Sequence, residues 1–382
     1  MSNPQKIVII GPAHPLRGGL ASYDERLARE FMNAGFQTTI YTFSLQYPSF
    51  LFPGTTQYSS EPAPTDLDIR VKINSINPLN WIRVGKELKA LAPEIIVVRY
   101  WLPFMGACLG KILRIAKKNG KTRVVCIADN VIPHEKRPGD LMLTNYFLAA
   151  PDAFITMSEK VLADLNRFSP GKPAKFVAHP LYDNFGEKIS KRDARQHLDI
   201  DQHIKLILFF GFIRHYKGLD ILLEAMKILA DDKEQWVREI RLMIAGEFYE
   251  DEKKYTDLVE KLKIRHALIL RTNFISDSEV KYYLCAADCV VQPYRSATQS
   301  GVTPLAYHFE KPMIVTNVGG LPSLVPDGKV GLVAEPDPAS IAASIKRFYE
   351  LGESHFENGL KEEKVKYSWN AMMQAILEIS KK

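Results

Sequence analysis

The sequence is poor in cysteine, with only Cys108, Cys126, Cys285 and Cys289 in a chain of 382 residues. Cys285 and Cys289 stand four apart between apolar neighbours, with no histidine nearby and no second ligand pair at workable spacing. That excludes a zinc site of ordinary spacing and a disulfide framework, and leaves buried thiols as their use. Long hydrophobic runs are also missing: nothing approaches the roughly eighteen uninterrupted apolar residues of a membrane-crossing helix. Residues 1–6 lead directly into an apolar strand, without the charged, apolar and small-residue regions of a secretory signal. A cytoplasmic protein is the expectation. The loop after that strand reads Gly11-Pro12-Ala13-His14-Pro15, which lacks the Gly-x-Gly-x-x-Gly fingerprint and excludes a nicotinamide or flavin oxidoreductase of the usual kind.

What is present fits a globular chain, 46% hydrophobic and 25% charged, long enough for two α/β domains. Charge is unevenly spread. Residues 1–185 hold 22 Lys and Arg against 15 Asp and Glu, whereas residues 186–382 hold 28 against 29. Part of the surplus is one segment, Lys111, Arg114, Lys117, Lys118, Lys121 and Arg123. Such a run suits a solvated helix face, anionic lipid headgroups or an anionic acceptor. Nucleic acid is not expected, because no aromatic-interleaved basic motif accompanies the charge.

Strand and helix patterns alternate along the chain. Strand Lys6–Ile10 precedes helix Leu20–Ala34 and strand Thr38–Phe43; Tyr47 to Pro64 reads as loop. Helix Trp81–Leu91, strand Ile95–Arg99, helix Phe104–Lys118 and strand Arg123–Ile127 follow. After a charged stretch at 184–203, expected to link, a second series opens with the apolar run Ile204–Phe210. Helix Leu219–Ala230, strand Ile240–Ala245, helix Glu250–Leu262, strand Ala267–Leu270, helix Asp277–Ala286 and strand Asp288–Gln292 continue it. Strands Met313–Thr316 and Gly331–Ala334 close it. This predicts two tandem doubly wound domains, at 1–185 and 186–365, with a helix at 366–382 crossing back to the first. A ligand is expected in the crevice between them, at the carboxyl ends of the strands.

Two loops carry chemistry. In Gly211-Phe212-Ile213-Arg214-His215-Tyr216-Lys217-Gly218, two cations three apart lie between a buried strand and a helix. Arg214 offers a planar fork and Lys217 a point charge, suited to a diphosphate. In Tyr294-Arg295-Ser296-Ala297-Thr298-Gln299-Ser300-Gly301-Val302-Thr303, a small polar turn opens a helix, where backbone N–H groups face an anion and the Ser300 and Thr303 hydroxyls can add donors.

With these motifs the chain resembles the retaining glycosyltransferases of family 4. The resemblance rests on Gly18-Gly19; on Gly211, Arg214 and Lys217-Gly218; on Ala286-Ala287-Asp288 before Gln292-Pro293; on Glu310-Lys311-Pro312 leading to Val318-Gly319-Gly320; and on Asp327-Gly328-Lys329-Val330-Gly331-Leu332. It implies the GT-B fold, two Rossmann-like domains about a cleft, and transfer of a sugar from a nucleotide-diphosphate donor, UDP- or GDP-linked, with retention and without a metal or other cofactor. By the same resemblance Arg214 and Lys217 would stabilise the leaving diphosphate. Gln299, Ser300, Gly301, Val302 and Thr303 would hold it from the helix end, Gly18 and Gly19 would let backbone approach the donor, and Asn273, Phe274 and Ile275 would lie against the nucleobase.

Acceptor contacts are expected from Arg99, Tyr100 and Trp101 and from Asp129, Asn130 and His134, the acceptor being a saccharide, a lipid-linked saccharide or a small molecule. Peripheral membrane association through the basic first domain goes with that. The chain departs from the family where many members carry two Glu residues around the phosphate-binding helix, since those positions are Ala297 and Leu305 here. A His common in the family after the strand near 127 is likewise replaced by Ala128-Asp129-Asn130. Alternatives on the same scaffold are a non-catalytic nucleotide-sugar or saccharide binder and an epimerase, hydrolase or phosphorylase.

Overall fold

A parallel strand covered on both faces must be apolar throughout, because helices on either side leave it no polar face. Residues 95–98 and 206–210 are such runs, and the strands that hold them, Ile95–Tyr100 and Lys205–Phe210, lie at the middle of their sheets. The computed structural model describes residues 5–48, 52, 56–132, 138–169, 171–297 and 300–381. The chain divides into two units, Met1–Pro180 with Ser368–Lys382, and Leu181–Tyr367.

The first unit runs β1 (Lys6–Ile10), α1 (Gly19–Asn33), β2 (Gln37–Leu45), β3 (Asp68–Asn74), α2 (Pro78–Leu91) and β4 (Ile95–Tyr100). It continues with α3 (Gly106–Ala116), β5 (Arg123–Ala128), α4 (Asp140–Leu148), β6 (Ala153–Thr156), α5 (Glu159–Phe168) and β7 (Ala174–Phe176). Its seven strands are all parallel in the order β3-β2-β1-β4-β5-β6-β7.

The second unit runs α6 (Lys191–His197), β8 (Lys205–Phe210), α7 (Leu219–Ala230), α8 (Gln235–Arg238), β9 (Ile240–Ala245), α9 (Lys253–Leu262) and β10 (Leu268–Arg271). Then come α10 (Val280–Ala286), β11 (Cys289–Gln292), α11 (Val302–His308), β12 (Met313–Thr316), α12 (Leu321–Leu324) and β13 (Gly331–Ala334). Helices α13 (Pro338–Leu351) and α14 (Glu357–Lys364) close it, and α15 (Trp369–Ile379) belongs to the first unit. The six strands are parallel in the order β10-β9-β8-β11-β12-β13. The strand order reverses between β1 and β4 in one sheet and between β8 and β11 in the other, which opens a crevice at the carboxyl ends of those strands.

The stretch 184–203 is not a linker. Ser190 caps α6 by accepting from the Asp193 N–H at 3.0 Å, and the helix delivers Arg195, 2% exposed, to Asp288. Asp288 lies just before β11, at the amino edge of the sheet. Its Oδ1 accepts from Arg195 (3.0 Å) and Lys191 (2.7 Å); its Oδ2 accepts from the Leu206 N–H (2.7 Å) and the Tyr349 hydroxyl (3.0 Å). Lys311, also buried, donates to the Ala287 carbonyl (2.9 Å) and to Glu353. Two of the motifs behind the resemblance, 286–288 and 310–312, thus meet at the edge away from the loops that carry chemistry. Replacing Asp288 with Ala would leave buried Arg195 without its carboxylate and the Leu206 N–H without an acceptor. We expect a loss of roughly 3–5 kcal/mol in urea denaturation, as for breaking a buried ion pair by removing one partner.

Candidate functional site

At the carboxyl edge of the second sheet, β8 ends in Gly211, whose φ of +94° few other residues adopt. The chain passes through Arg214 and a 3-10 turn, His215–Lys217, before Gly218 at φ +67° starts α7. A Cβ on Gly218 would lie 2.0 Å from the Pro293 carbonyl oxygen, one on Gly246 2.3 Å from that of Gly211, and one on Gly319 1.7 Å from that of Ala297. Backbone-to-backbone contact therefore binds the loops after β8, β9, β11 and β12 into one surface.

Two cations stand on it in different states. Arg214 is exposed, and its guanidinium lies 5.0 Å from the centre of the Tyr249 ring, which stacks on Phe212 at 4.2 Å. Lys217 is buried, and its ammonium has no acceptor among the described residues. Its neighbours are Gly211, where a Cβ would lie 3.1 Å from Nζ, and the Tyr294 ring at 5.8 Å. Burial, and then the Arg214 charge beside it, push the Lys217 pKa down to about 7. A buried cation with no acceptor among the described residues is electrostatically suited to an anion.

The loop after β11 is organised by Gln292, which sequence reasoning passed over. Its Oε1 accepts from Ser300 Oγ (2.6 Å) and Thr303 Oγ1 (3.2 Å); Ser300 Oγ in turn accepts from the Val302 N–H and meets the Tyr294 hydroxyl at 3.3 Å. The two hydroxyls expected as ligand donors are thus committed to an internal network, and Gly301, at the start of α11, remains exposed. Buried Gln292 Nε2 has no partner among the described residues. Gln299 lies outside the described residues. Asn273, exposed, and Phe274 and Ile275, half-buried, follow β10 at the same edge. Glu247, 5% exposed, lies in the loop after β9, and its backbone carbonyl accepts from the Ile213 N–H at 2.8 Å.

In the first unit, Gly18 (φ +100°) precedes α1 and Gly19 is its exposed first residue. Arg99, at the end of β4, is 2% exposed and grips Asp129 through two 2.7 Å hydrogen bonds, with Asp24 of α1 at 3.5 Å. The Tyr23 ring covers its guanidinium at 3.9 Å. Burial dominates at Asp24 and raises its pKa to about 8 against the pull of Arg99. Its Oδ2 is unpartnered and sits where a Cβ on Gly11 would come within 2.1 Å. Beside this cluster His179 is buried, T-shaped on Tyr23, with its pKa lowered to about 4 by burial.

Arg99 and Asp129 therefore face each other and not open solvent. Tyr100, expected to line a cleft, is instead core, stacked on Phe147 at 4.1 Å with its hydroxyl 3.1 Å from Thr144. Trp101 is half-buried and donates to the Tyr47 hydroxyl, and Asn130 is half-buried after β5. His134 lies outside the described residues.

Residues 204–350 match the family described as Glycosyl transferases group 1. The D-inositol 3-phosphate glycosyltransferase of Streptomyces coelicolor is 27% identical over 237 residues, which is 61% of this chain and 50% of that protein. An uncharacterized glycosyltransferase of Methanocaldococcus jannaschii, MJ1178, is 31% identical over 45% of this chain and 46% of its own length. This chain spans about half the length of the first of its curated relatives. Among solved structures, sucrose-phosphate synthase from Thermosynechococcus elongatus superposes with a TM-score of 0.76 at 18% identity over 98% of both chains. Anabaena Alr3699/HepE, in complex with UDP and glucose, gives 0.71 at 15% identity, again over 98% of both. These likenesses show the GT-B fold.

Two pH effects follow. An unfolded lysine keeps its proton to about pH 10.4, but folded Lys217 releases it near 7. Between those values the unfolded state binds more protons, so this group makes stability rise with pH. An anion bound beside the amine would restore the proton. Calorimetry at pH 8 in buffers of different ionisation enthalpy should show uptake of about one proton on nucleotide binding, and almost none at pH 6; equal uptake at both would contradict the assignment. Asp24 works oppositely. The folded state holds its proton from about pH 4 to 8, so stability from this group falls as pH rises through that window. Asp24→Asn, a neutral isostere, should be near-neutral at about pH 4 and increasingly stabilising as the pH rises to 8, by denaturant unfolding.

Proposed function

We propose that this chain, whose residues 204–350 belong to the glycosyl transferases group 1, moves a sugar from a nucleoside-diphosphate donor to an acceptor. The observation that carries the reading is the pair Arg214 and Lys217 at the point where the order of the second sheet reverses, the one exposed and the other buried without an acceptor among the described residues. Charge develops on the diphosphate as the bond from the sugar to its oxygen breaks. Fixed cations already stripped of water stabilise that charge with little reorganisation. Arg214 keeps its fork of donors for phosphate oxygens because an aromatic face, not a carboxylate, holds it.

In this reading the amide groups around Gly301 and Val302 add to the diphosphate site, Asn273, Phe274 and Ile275 meet the nucleobase, and Gly18 and Gly19 leave room for the donor. Transfer proceeds with retention and needs no metal, since the two cations occupy a metal's electrostatic role. UDP is the favoured nucleotide, on the strength of the UDP complex of the Anabaena neighbour, and a saccharide is the favoured acceptor. Arg99 and Asp129 act through their pairing, by fixing the ends of β4 and β5.

The test combines binding and stability. Arg214→Ala and Lys217→Met should each weaken UDP binding roughly 10- to 100-fold, the worth of one charge-assisted hydrogen bond, with transfer still active in chelator for the unmodified protein. Lys217→Met should also raise the melting temperature without ligand, because it removes an uncompensated buried charge. A lysine that served only the fold would give the reverse, lower stability with unchanged nucleotide affinity. Ala297 and Leu305, both 4% exposed, favour one alternative, a binder that holds nucleotide without turnover. UDP-dependent stabilisation with no consumption of any sugar nucleotide would select it.

A further inference from the structure

Half of the basic segment noted in the sequence is tied to the protein itself. Lys117 pairs with Asp152 at 2.6 Å, Arg114 donates to the Gly110 and Tyr146 carbonyls and covers the Tyr146 ring at 3.9 Å, and Arg123 donates to the Ser380 carbonyl. Lys111, Lys118 and Lys121 are exposed and have no acidic partner among the described residues. The structure adds three more cations to them. Arg83, Lys86 and Lys89 form an exposed stripe along α2, again unpaired among the described residues, and α2 packs on α3 so closely that a Cβ on Gly85 would lie 2.8 Å from Ile115 Cβ. The carboxylates nearby are engaged elsewhere, Glu87 with Lys72 and the Tyr41 hydroxyl, and Asp152 with Lys117 and the Val124 N–H. Exposed cations in other parts of the unit do find partners, as Arg29 with Asp66 and Lys175 with Glu378 show.

One end of this cationic face is apolar. Leu79 in the first turn of α2 is 78% exposed and Ile76 just before it 51%. Across α3, the first turn of α4 presents Leu141 and Met142, 60% and 69% exposed. Helix α4 packs on α3 where Gly106 meets Leu143 and Gly110 meets Tyr146, and α2 and α4, each running on to a parallel strand, both begin toward the carboxyl edge of the sheet. Four large aliphatic side chains left in water beside six uncompensated cations describe a surface with a partner.

We propose that the face formed by α2, α3 and α4 docks on an anionic lipid bilayer, with Arg83, Lys86, Lys89, Lys111, Lys118 and Lys121 at the phosphates and Ile76, Leu79, Leu141 and Met142 entering the headgroup boundary. Cations attract any polyanion, but a nucleic acid or acidic polysaccharide offers nothing to four exposed aliphatic groups, whereas the edge of the acyl region does. No helix among the described residues is long and apolar enough to cross a membrane, so the contact is peripheral. The inference stands apart from the transferase reading, because none of these residues belongs to the donor site.

The experiment is flotation of the full chain with phosphatidylcholine vesicles, with and without phosphatidylglycerol, at low and high salt. Binding is expected only with phosphatidylglycerol, and high salt should weaken it. Lys86→Glu with Lys111→Glu and Lys118→Glu should abolish it, each charge contributing about fivefold. Leu141→Ser with Met142→Ser should weaken it about tenfold or more, since both side chains lose their apolar burial. UDP-induced thermal stabilisation, measured on the same variants, should be unchanged, which separates failure at this face from failure of the donor site. Absence of flotation with phosphatidylglycerol at low salt overturns the proposal. So does serine substitution without effect on vesicles together with equally tight binding to heparin or RNA, which would make the face a general polyanion site.

Discussion

Burying the Lys217 ammonium with no acceptor costs free energy, and the surrounding loops exist in a form that sustains that cost. An isolated charge in an apolar setting ordinarily escapes by moving to solvent or losing its proton. Here the first route is closed by backbone. Gly218 sits against the Pro293 carbonyl, Gly246 against that of Gly211 and Gly319 against that of Ala297, all closer than any side chain permits. The loops cannot spread to admit water around the lysine without breaking these contacts. The second route is half taken, which is why the ammonium titrates near neutrality.

The two edges of the second sheet follow opposite rules. At the amino edge Asp288 accepts four hydrogen bonds and Lys311 reaches both a carbonyl and a carboxylate, so buried polar groups are satisfied. At the carboxyl edge Lys217, the Gln292 amide nitrogen and Asp220 Oδ1 are buried and have no partner among the described residues. The first unit repeats the contrast on a smaller scale: Asp129 holds Arg99 with both oxygens, while Asp24 keeps one oxygen unpaired against Gly11. Unsatisfied polar atoms are rare in native interiors, and these lie at the ends of the strands where a doubly wound sheet takes its ligands. Stability is drawn from one edge and left available at the other.

Much of the fold was legible because its cause is local. A strand covered on both faces must be apolar, so residues 95–98 and 206–210 announced themselves, and the positive φ required after β8 and before α7 called for Gly211 and Gly218. Strands β3, β6 and β7 escaped notice. The first, on an edge, mixes Asp, Arg and Lys with its apolar residues, and β7, on the other edge, is three residues long and lacks a buried residue. Helix α6 was hidden in a charged stretch because what matters there, the buried bond from Arg195 to Asp288, spans 93 residues.

The same division runs through the site. The sequence by itself determined that Arg214 and Lys217 follow a buried strand and open a helix, since strand, glycine and helix are each set by neighbouring residues. Only the tertiary structure decided that the two cations differ, the one stacked on Tyr249 and exposed, the other enclosed and titrating near neutrality. It also decided that the Ser300 and Thr303 hydroxyls serve Gln292, and that Arg99 serves Asp129, 30 residues away, and Asp24, 75 away. Local backbone preference is a property of a few adjacent residues. Exclusion of water, which sets charge state and pairing, depends on whatever distant segment the fold brings to cover a group.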